Sequence, residues 1–168
     1  MKFLTPLLAL FVAYAYAGFG VNFGGSQVHL TEDYKVPGEN PLFFCDDPKD
    51  NTLEIDKVDL DPNPPAAGQK LQITATGDLK EKIEEGAKIH LQVKYGLITL
   101  IKQDADLCDQ ASNINLECPI DEGKLTLSKD VNLPNEIPPG KYSVIADVTT
   151  KDGKKITCLQ ASIQFSRH

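Results

Sequence analysis

The chain has 168 residues, of which 41% are hydrophobic and 24% charged, a composition that excludes a fully disordered chain and fits one domain. Its 24 acidic residues outnumber 17 Lys and Arg residues, and the formal net charge is −7. Because phosphate binding needs a basic face, this charge argues against nucleic acid as a partner. It also predicts repulsion from anionic bilayers near neutral pH.

The first 17 residues have the pattern of a secretory signal peptide. Lys2 supplies the positive charge, residues 3–13 are mostly apolar, and Ala15-Tyr16-Ala17 fits the small-x-small rule for cleavage after Ala17. A buried helix is the alternative interpretation, but it does not explain the small-residue ending. We therefore assign residues 1–17 to a signal peptide and expect entry into the secretory pathway.

Residues 18–37 are glycine-rich and lack strong periodicity. We interpret them as a propeptide or flexible arm, with an ordered first strand as the alternative. The compact domain is expected to begin near Pro37-Gly38 and to cover residues 38–168.

From residue 55 onward, apolar residues recur with a period of two, which predicts strands with one buried and one wetter face. Turn signals separate these runs: residues 61–65 are rich in Pro, Pro138-Pro139-Gly140 precedes the penultimate run, and Asp152-Gly153 lies between the last two. About seven strands at this spacing predict an all-β fold, an antiparallel β-sandwich. No segment has a clear helical pattern.

Residues 95–101 break the alternation, because the run YGLITLI is almost continuously apolar. Two interpretations remain for this segment. Composition favours a strand that is buried on both faces, and the alternative is a segment at the mouth of an apolar cavity between the sheets.

Four cysteines, Cys45, Cys108, Cys118 and Cys158, follow the predicted signal peptide. An even number in an oxidising route predicts two disulfides. The short polar stretch between Cys108 and Cys118 favours a local disulfide, which leaves Cys45 to pair with Cys158. Zinc is a weaker interpretation, because the chain contains no CxxC pair and only three His.

Catalytic motifs are missing from the sequence: it has no G-x-S-x-G, H-E-x-x-H or P-loop. His90 falls on the polar side of a strand and is interpreted as an exposed strand residue. Clustered carboxylates such as Asp46, Asp47 and Asp50 lack EF-hand spacing. Paired carboxylates for glycoside hydrolysis stay open as an alternative, although no Trp is present to line a sugar cleft. We expect no enzyme activity, no metal and no cofactor.

Several short motifs accompany the order of the cysteines over residues 38–165. They are LDPNPP at 60–65, EEGA at 84–87, CPI at 118–120, PPGKY at 138–142 and ITCL at 156–159. Taken together, they make the chain resemble the ML lipid-recognition domain family. Within that family the likeness is to the fungal phosphatidylglycerol/phosphatidylinositol transfer proteins, relatives of the Niemann-Pick type C soluble sterol carrier.

This resemblance implies an immunoglobulin-like sandwich whose sheets splay apart and hold a lipid, with the same two disulfides. It implies non-enzymatic transfer of a phospholipid (phosphatidylinositol or phosphatidylglycerol) or a sterol between membranes. We expect a monomer that contacts a membrane surface transiently, either in a vacuole lumen or after secretion. The alternative is a secreted β-sandwich that binds proteins and has a packed core without a lipid cavity.

The side chains predicted to line the lipid cavity are apolar residues that alternation places on inward faces. A buried methylene contributes about 0.8 kcal/mol, so one shielded acyl chain supplies a useful affinity. The predicted lining residues are Ile73, Leu91, Val93, Tyr95, Leu97, Leu100, Leu127, Tyr142, Val144, Ala146, Ile163 and Phe165.

Overall fold

Residues 32–167 are described by a computed structural model, which places eight strands in two antiparallel sheets. A 3-10 turn at Glu32–Tyr34 precedes β1, and a second at Pro48–Asp50 precedes β2. Helix α1 (Leu107–Ser112) joins β5 to β6. The strands are β1 (Leu42–Phe44), β2 (Leu53–Asp61), β3 (Lys70–Leu79), β4 (Lys88–Tyr95), β5 (Ile98–Asp106), β6 (Gly123–Asn132), β7 (Gly140–Thr149) and β8 (Lys155–Phe165).

One sheet has the order β1-β8-β7-β4-β5 and the other has the order β2-β3-β6. The antiparallel β-sandwich predicted from the period-two alternation is confirmed, with one strand more than the approximate seven. Burial alternates residue by residue along β6, as expected for a strand with one face against another layer. No helix within residues 32–167 is long and apolar enough to cross a membrane.

Two clusters of buried side chains join the sheets. The first lies where β3 ends and β8 begins, next to α1, and includes Leu79, Ala111 and Ile156. We call this the helix end of the sandwich, and the opposite end, at the β4–β5 turn, the hairpin end. The second cluster packs Val58 of β2 against Phe44 of β1 along one side of the sandwich.

The second cluster also extends the packed domain upstream of the predicted boundary. Val36 is fully buried in it, and the Val36 N–H donates to the Leu42 carbonyl at 3.1 Å. The last residues of the predicted arm 18–37 therefore belong to the core, a correction that local glycine content could not indicate. Residues 1–31, which carry the predicted signal peptide and most of the predicted arm, lie outside the described residues, as does His168.

Both predicted disulfides are confirmed: Cys45 pairs with Cys158, and Cys108 pairs with Cys118. The first joins residues separated by 113 positions and the second joins residues separated by 10. In the chain-entropy picture, a cross-link that closes a longer loop restricts the unfolded chain more strongly. The Cys45–Cys158 disulfide should therefore be the more stabilising of the two.

Replacing Cys45 and Cys158 together by Ala is expected to lower the free energy of unfolding by about 5 kcal/mol, against about 3 kcal/mol for the Cys108/Cys118 double variant. Denaturant titrations of the two double variants and the wild type measure the difference. Equal losses, or a larger loss for the short loop, would contradict the loop-length argument.

Helix α1 is an element that the sequence did not predict, as is the short strand β1, which precedes the alternating pattern. The N-cap of α1 is Asp106, whose carboxylate accepts the N–H groups of Cys108 and Asp109 at 2.9 and 3.2 Å. The bond from Asp109 lowers the pKa of Asp106 most, followed by the bond from Cys108 and the charge of Lys88. A six-residue helix shows less than two turns of periodicity, so its apolar pattern is too short to read.

The lowered pKa of Asp106 makes the cap pH-dependent. A carboxyl whose pKa is lower in the folded state adds stability above its unfolded pKa of about 3.9, and this stability disappears as the pH falls through the folded value. The Asp106→Asn variant should therefore melt at a lower temperature than wild type near neutral pH. The difference between the two melting temperatures should become smaller on acidification. Melting curves from about pH 6 to about pH 2 test this prediction. A difference in melting temperature that stays constant with pH would argue against stabilisation by the charge of the Asp106 carboxylate.

Candidate functional site

The inward side chains of the larger sheet form apolar rows across neighbouring strands. Strand β7 pairs with β4 on one side and with β8 on the other, so their inward residues stand side by side. From the hairpin end inward, the rows are Tyr95-Tyr142-Ile163, Val93-Val144-Ala161 and Leu91-Ala146-Leu159.

The smaller sheet presents a matching apolar face. Ile73 of β3 pairs with Leu60 of β2, and Leu127 of β6 pairs with Ala75 of β3. All of the predicted lining residues except Leu97 and Leu100 lie on these two inward faces.

Burial differs sharply across the inward faces. The β1–β2 side is closed by the second cluster, whereas the inward apolar residues of β4, β6 and β7 are mostly half-buried. Among the predicted lining residues only Tyr142 and Phe165 are buried. A close-packed core buries such side chains almost completely, so the inward face is incompletely covered along this side, which we call the gap between the sheets.

Two predicted lining residues need correction. Leu97 lies in the turn between β4 and β5 with its side chain fully exposed, and Leu100 is the extra residue of a bulge opposite Val93 and Lys94. A turn and a bulge interrupt strand periodicity, so alternation cannot assign a face there. The segment 95–101 is consequently a hairpin with exposed apolar side chains, and not a strand buried on both faces.

Aromatic rings cover the hairpin end of the larger inward face. The ring centroid of Tyr142 lies 5.1 Å from that of Tyr95 and 5.5 Å from that of Phe165. The hydroxyls of Tyr95 and Tyr142 donate to the carbonyls of Pro139 and Pro138 at 2.9 and 2.8 Å. Burial, and then the neighbouring Tyr95, raise the pKa of Tyr142, so the Tyr142 hydroxyl is uncharged near neutral pH.

Lys129 is a polar residue of the inward face that sequence reasoning missed. It pairs with Ile73 and continues the inward series of Leu125, Leu127 and Val131 along the edge strand β6. It is half-buried, and it forms no ion pair with a carboxylate of residues 32–167. Its Nζ lies 3.5 Å from the Asn113 carbonyl, too far for a strong hydrogen bond. The sequence could have indicated this residue, because Lys129 occupies a position at which the alternating run 125–131 predicts an apolar side chain.

Two surface grooves lie elsewhere. One of about 480 Å³ borders Phe44, Leu53 and Ile55 near the start of β2. The other, of about 270 Å³, lies on the outward face of the larger sheet and contains His90, whose Nδ1 is 2.5 Å from Asp104 Oδ1. His90 is exposed, as predicted. Within residues 32–167 no group of three or more His, Cys, Asp or Glu side chains is placed to hold a metal ion.

Comparison with known proteins assigns this architecture to a family. The family model of the ML domain matches residues 39–165. The chain belongs to the ML domain family.

Curated relatives of this ML domain chain share most of its length. It is 58% identical over 172 residues to a phosphatidylglycerol/phosphatidylinositol transfer protein of Pyricularia oryzae, covering 100% of this chain and 95% of the relative. It is 54% identical over 171 residues to a protein of the same name from Aspergillus fumigatus, covering 98% of each. A Niemann-Pick type C2 protein from the Japanese carpenter ant shares the fold, with a TM-score of 0.51, 10% identity, and coverage of 73% of this chain and 98% of that one.

One short motif of the sequence has a clear structural role here. The PPGKY run at 138–142 supplies both carbonyls that hold the tyrosine hydroxyls. Gly140 has a φ of +143°, and a Cβ at this position would lie 2.5 Å from the Tyr95 ring. Glycine therefore lets the loop approach the aromatic rows closely.

Proposed function

We propose that this ML domain protein is a non-enzymatic carrier that transfers lipid between membranes and binds a phospholipid between its sheets. The half-burial of the inward apolar residues of β4, β6 and β7 carries this proposal. A face of this kind leaves apolar surface incompletely covered, and an acyl chain in the gap would cover it. The names of the two fungal relatives, both phosphatidylglycerol/phosphatidylinositol transfer proteins, support the same class of ligand.

Transfer of this kind needs no bond to be made or broken. Each methylene shielded from water contributes about 0.8 kcal/mol, so the apolar rows from Leu91 to Tyr95 can hold an acyl chain by desolvation alone. The polar headgroup stays at the edge of the gap, where water and polar side chains satisfy it.

Lys129 favours an anionic phospholipid over a sterol. The ammonium of this half-buried lysine gains a charge-assisted hydrogen bond when a phosphodiester lies beside it, whereas a sterol hydroxyl offers no charge. Phosphatidylglycerol and phosphatidylinositol both carry one such phosphate. We therefore assign Lys129 as the headgroup contact of the bound lipid.

The cellular setting belongs to the same proposal. Two disulfides and no free cysteine among residues 32–167 support folding in an oxidising compartment, in line with the signal peptide predicted at residues 1–17. We place the protein in the secretory route, in a vacuole lumen or outside the cell, as a monomer that meets membranes transiently.

Lipid extraction of the protein, purified from a eukaryotic secretory host without detergent, tests the proposed function. Mass spectrometry of the extract should find phosphatidylglycerol or phosphatidylinositol in near-stoichiometric amount. A protein of similar size and charge purified in parallel serves as the control for carried-over lipid. An extract without lipid, from a protein that also fails to take up labelled phospholipid from vesicles, would favour the packed protein-binding sandwich.

A further inference from the structure

The β4–β5 hairpin carries an unusual apolar patch. Within residues 32–167, every exposed large apolar side chain except Ile145 belongs to this hairpin. The exposed fractions are 100% for Leu97, 63% for Ile98, 55% for Leu100 and 41% for Ile101. Single exposed apolar residues are ordinary on protein surfaces, but a contiguous group at one tip marks a contact surface.

Three lysines lie on the strands that carry or adjoin this patch. Lys94 and Lys102 lie on the hairpin itself, and Lys141 lies at the start of the neighbouring strand β7. None of them forms an ion pair with a carboxylate of residues 32–167, whereas Lys88 and Lys154 at the helix end are both paired.

The strand register explains why these lysines lack partners. Lys94 stands between Ser143 and Thr99, Lys102 is opposite Gln92, and Lys141 is opposite Gln164. Their direct cross-strand partners are all neutral, so three lysines without an ion pair lie near the apolar patch in a protein whose net charge is −7.

We propose that the β4–β5 hairpin is the membrane-docking element and that its partner is an anionic bilayer. Leu97, Ile98 and Leu100 enter the boundary between headgroups and acyl chains, and the three lysines contact lipid phosphates. Apolar residues with basic neighbours are the combination that holds a protein at such an interface. The attraction of these three lysines to lipid phosphates orients the hairpin toward the bilayer.

The hairpin also connects the bilayer with the lipid site, an inference that rests on the proposed function. Ile98 is the register partner of Tyr95, and Ile101 is the partner of Val93. The exposed patch therefore continues directly into the half-buried inward rows. A lipid leaving the bilayer along this strand pair meets apolar side chains from the hairpin tip to the gap between the sheets.

Vesicle flotation tests the apolar part of the surface. The probe is a set of vesicles of phosphatidylcholine with or without phosphatidylglycerol, and the variant is Leu97→Ser with Leu100→Ser. We expect binding to phosphatidylglycerol-containing vesicles to weaken by about tenfold or more, because two leucines lose their transfer from water. The matched control, Ile145→Ser, removes an exposed apolar residue from the same sheet and should bind like wild type.

A second pair of variants tests the lysines. Lys94→Gln with Lys102→Gln should weaken binding to the anionic vesicles by about tenfold at low salt and change binding to phosphatidylcholine vesicles little. Lys151→Gln with Lys154→Gln removes the same charge at the helix end and should leave binding almost unchanged. Added salt should weaken wild-type binding to anionic vesicles.

Three results would overturn the docking proposal. They are unchanged vesicle binding by both hairpin variants, an equal loss in the matched controls, or a wild-type dimer in solution that the leucine variant dissociates without any vesicle binding by wild type. The lipid content of each purified variant separates this proposal from the proposed function. Hairpin variants that retain bound phospholipid but no longer float with vesicles have lost docking and not the lipid site.

Discussion

Val144→Asp is expected to reduce lipid transfer strongly while the protein still folds. Val144 lies in the middle of the inward rows, between Val93 and Ala161, and it is half-buried. A carboxylate there repels an acyl chain, yet it can reach water through the gap. We expect transfer of fluorescent phospholipid between vesicles to fall to about a tenth of the wild-type rate or less, while the free energy of unfolding falls by only about 1–2 kcal/mol.

The neighbouring residue supplies the control for this experiment. Ile145 lies on the opposite face of the same strand and is exposed, so Ile145→Asp introduces the same charge outside the gap. It should transfer lipid at nearly the wild-type rate. Unfolding of Val144→Asp would instead indicate a dry packed core, because a buried unpaired charge is not tolerated. Normal transfer with normal stability would place Val144 outside the lipid site.

The Lys129→Gln variant is expected to lose affinity for anionic phospholipids but to keep its affinity for uncharged ligands. Loss of one charge-assisted hydrogen bond should weaken binding of phosphatidylglycerol and phosphatidylinositol by about tenfold to a hundredfold. Binding of a sterol should change little, because it has no phosphate for the ammonium to contact. Titration of the delipidated wild type and variant with fluorescent analogues of each lipid measures the ratio of their affinities.

The control for Lys129 comes from the same strand. Lys124 lies on the outward face of β6, where its ammonium contacts Asp56 at 2.9 Å, and Lys124→Gln removes the same charge. This variant should bind every lipid like wild type. An equal effect of Lys129→Gln on sterol and phospholipid would show that Lys129 does not contact the headgroup.

The docking surface changes what the net charge implies. A charge of −7 predicts repulsion from anionic bilayers when it is treated as spread evenly. The structure places three lysines that form no ion pair among residues 32–167 on or beside the apolar hairpin, whereas Lys154 and Lys155, toward the helix end, are paired with Glu81 and Asp147. The position of the charges therefore decides the orientation of approach, and the total does not.

Several features of this protein could be derived from the sequence because they depend on local patterns. The alternation in β3, β4 and β7 predicts strands and shows which residues share a face. The even number of cysteines, with Cys108 and Cys118 close together, indicated both disulfides. The motifs from LDPNPP to ITCL identified the family, since these residues are recognisable without knowing their contacts.

Other features were decided only by the tertiary structure. Alternation placed Val144 and Ile145 on opposite faces, but only the packing of the sheets shows which face is inward and that it is only half-buried. Val36 joined the core because β1 and β2 bring distant residues around it. Leu97 is exposed because it lies in the turn between β4 and β5, and Lys129 lies on the inward face because its register partner is the inward residue Ile73. Burial depends on which non-neighbouring strands meet, and the period of a strand contains no information about its partners across the sandwich.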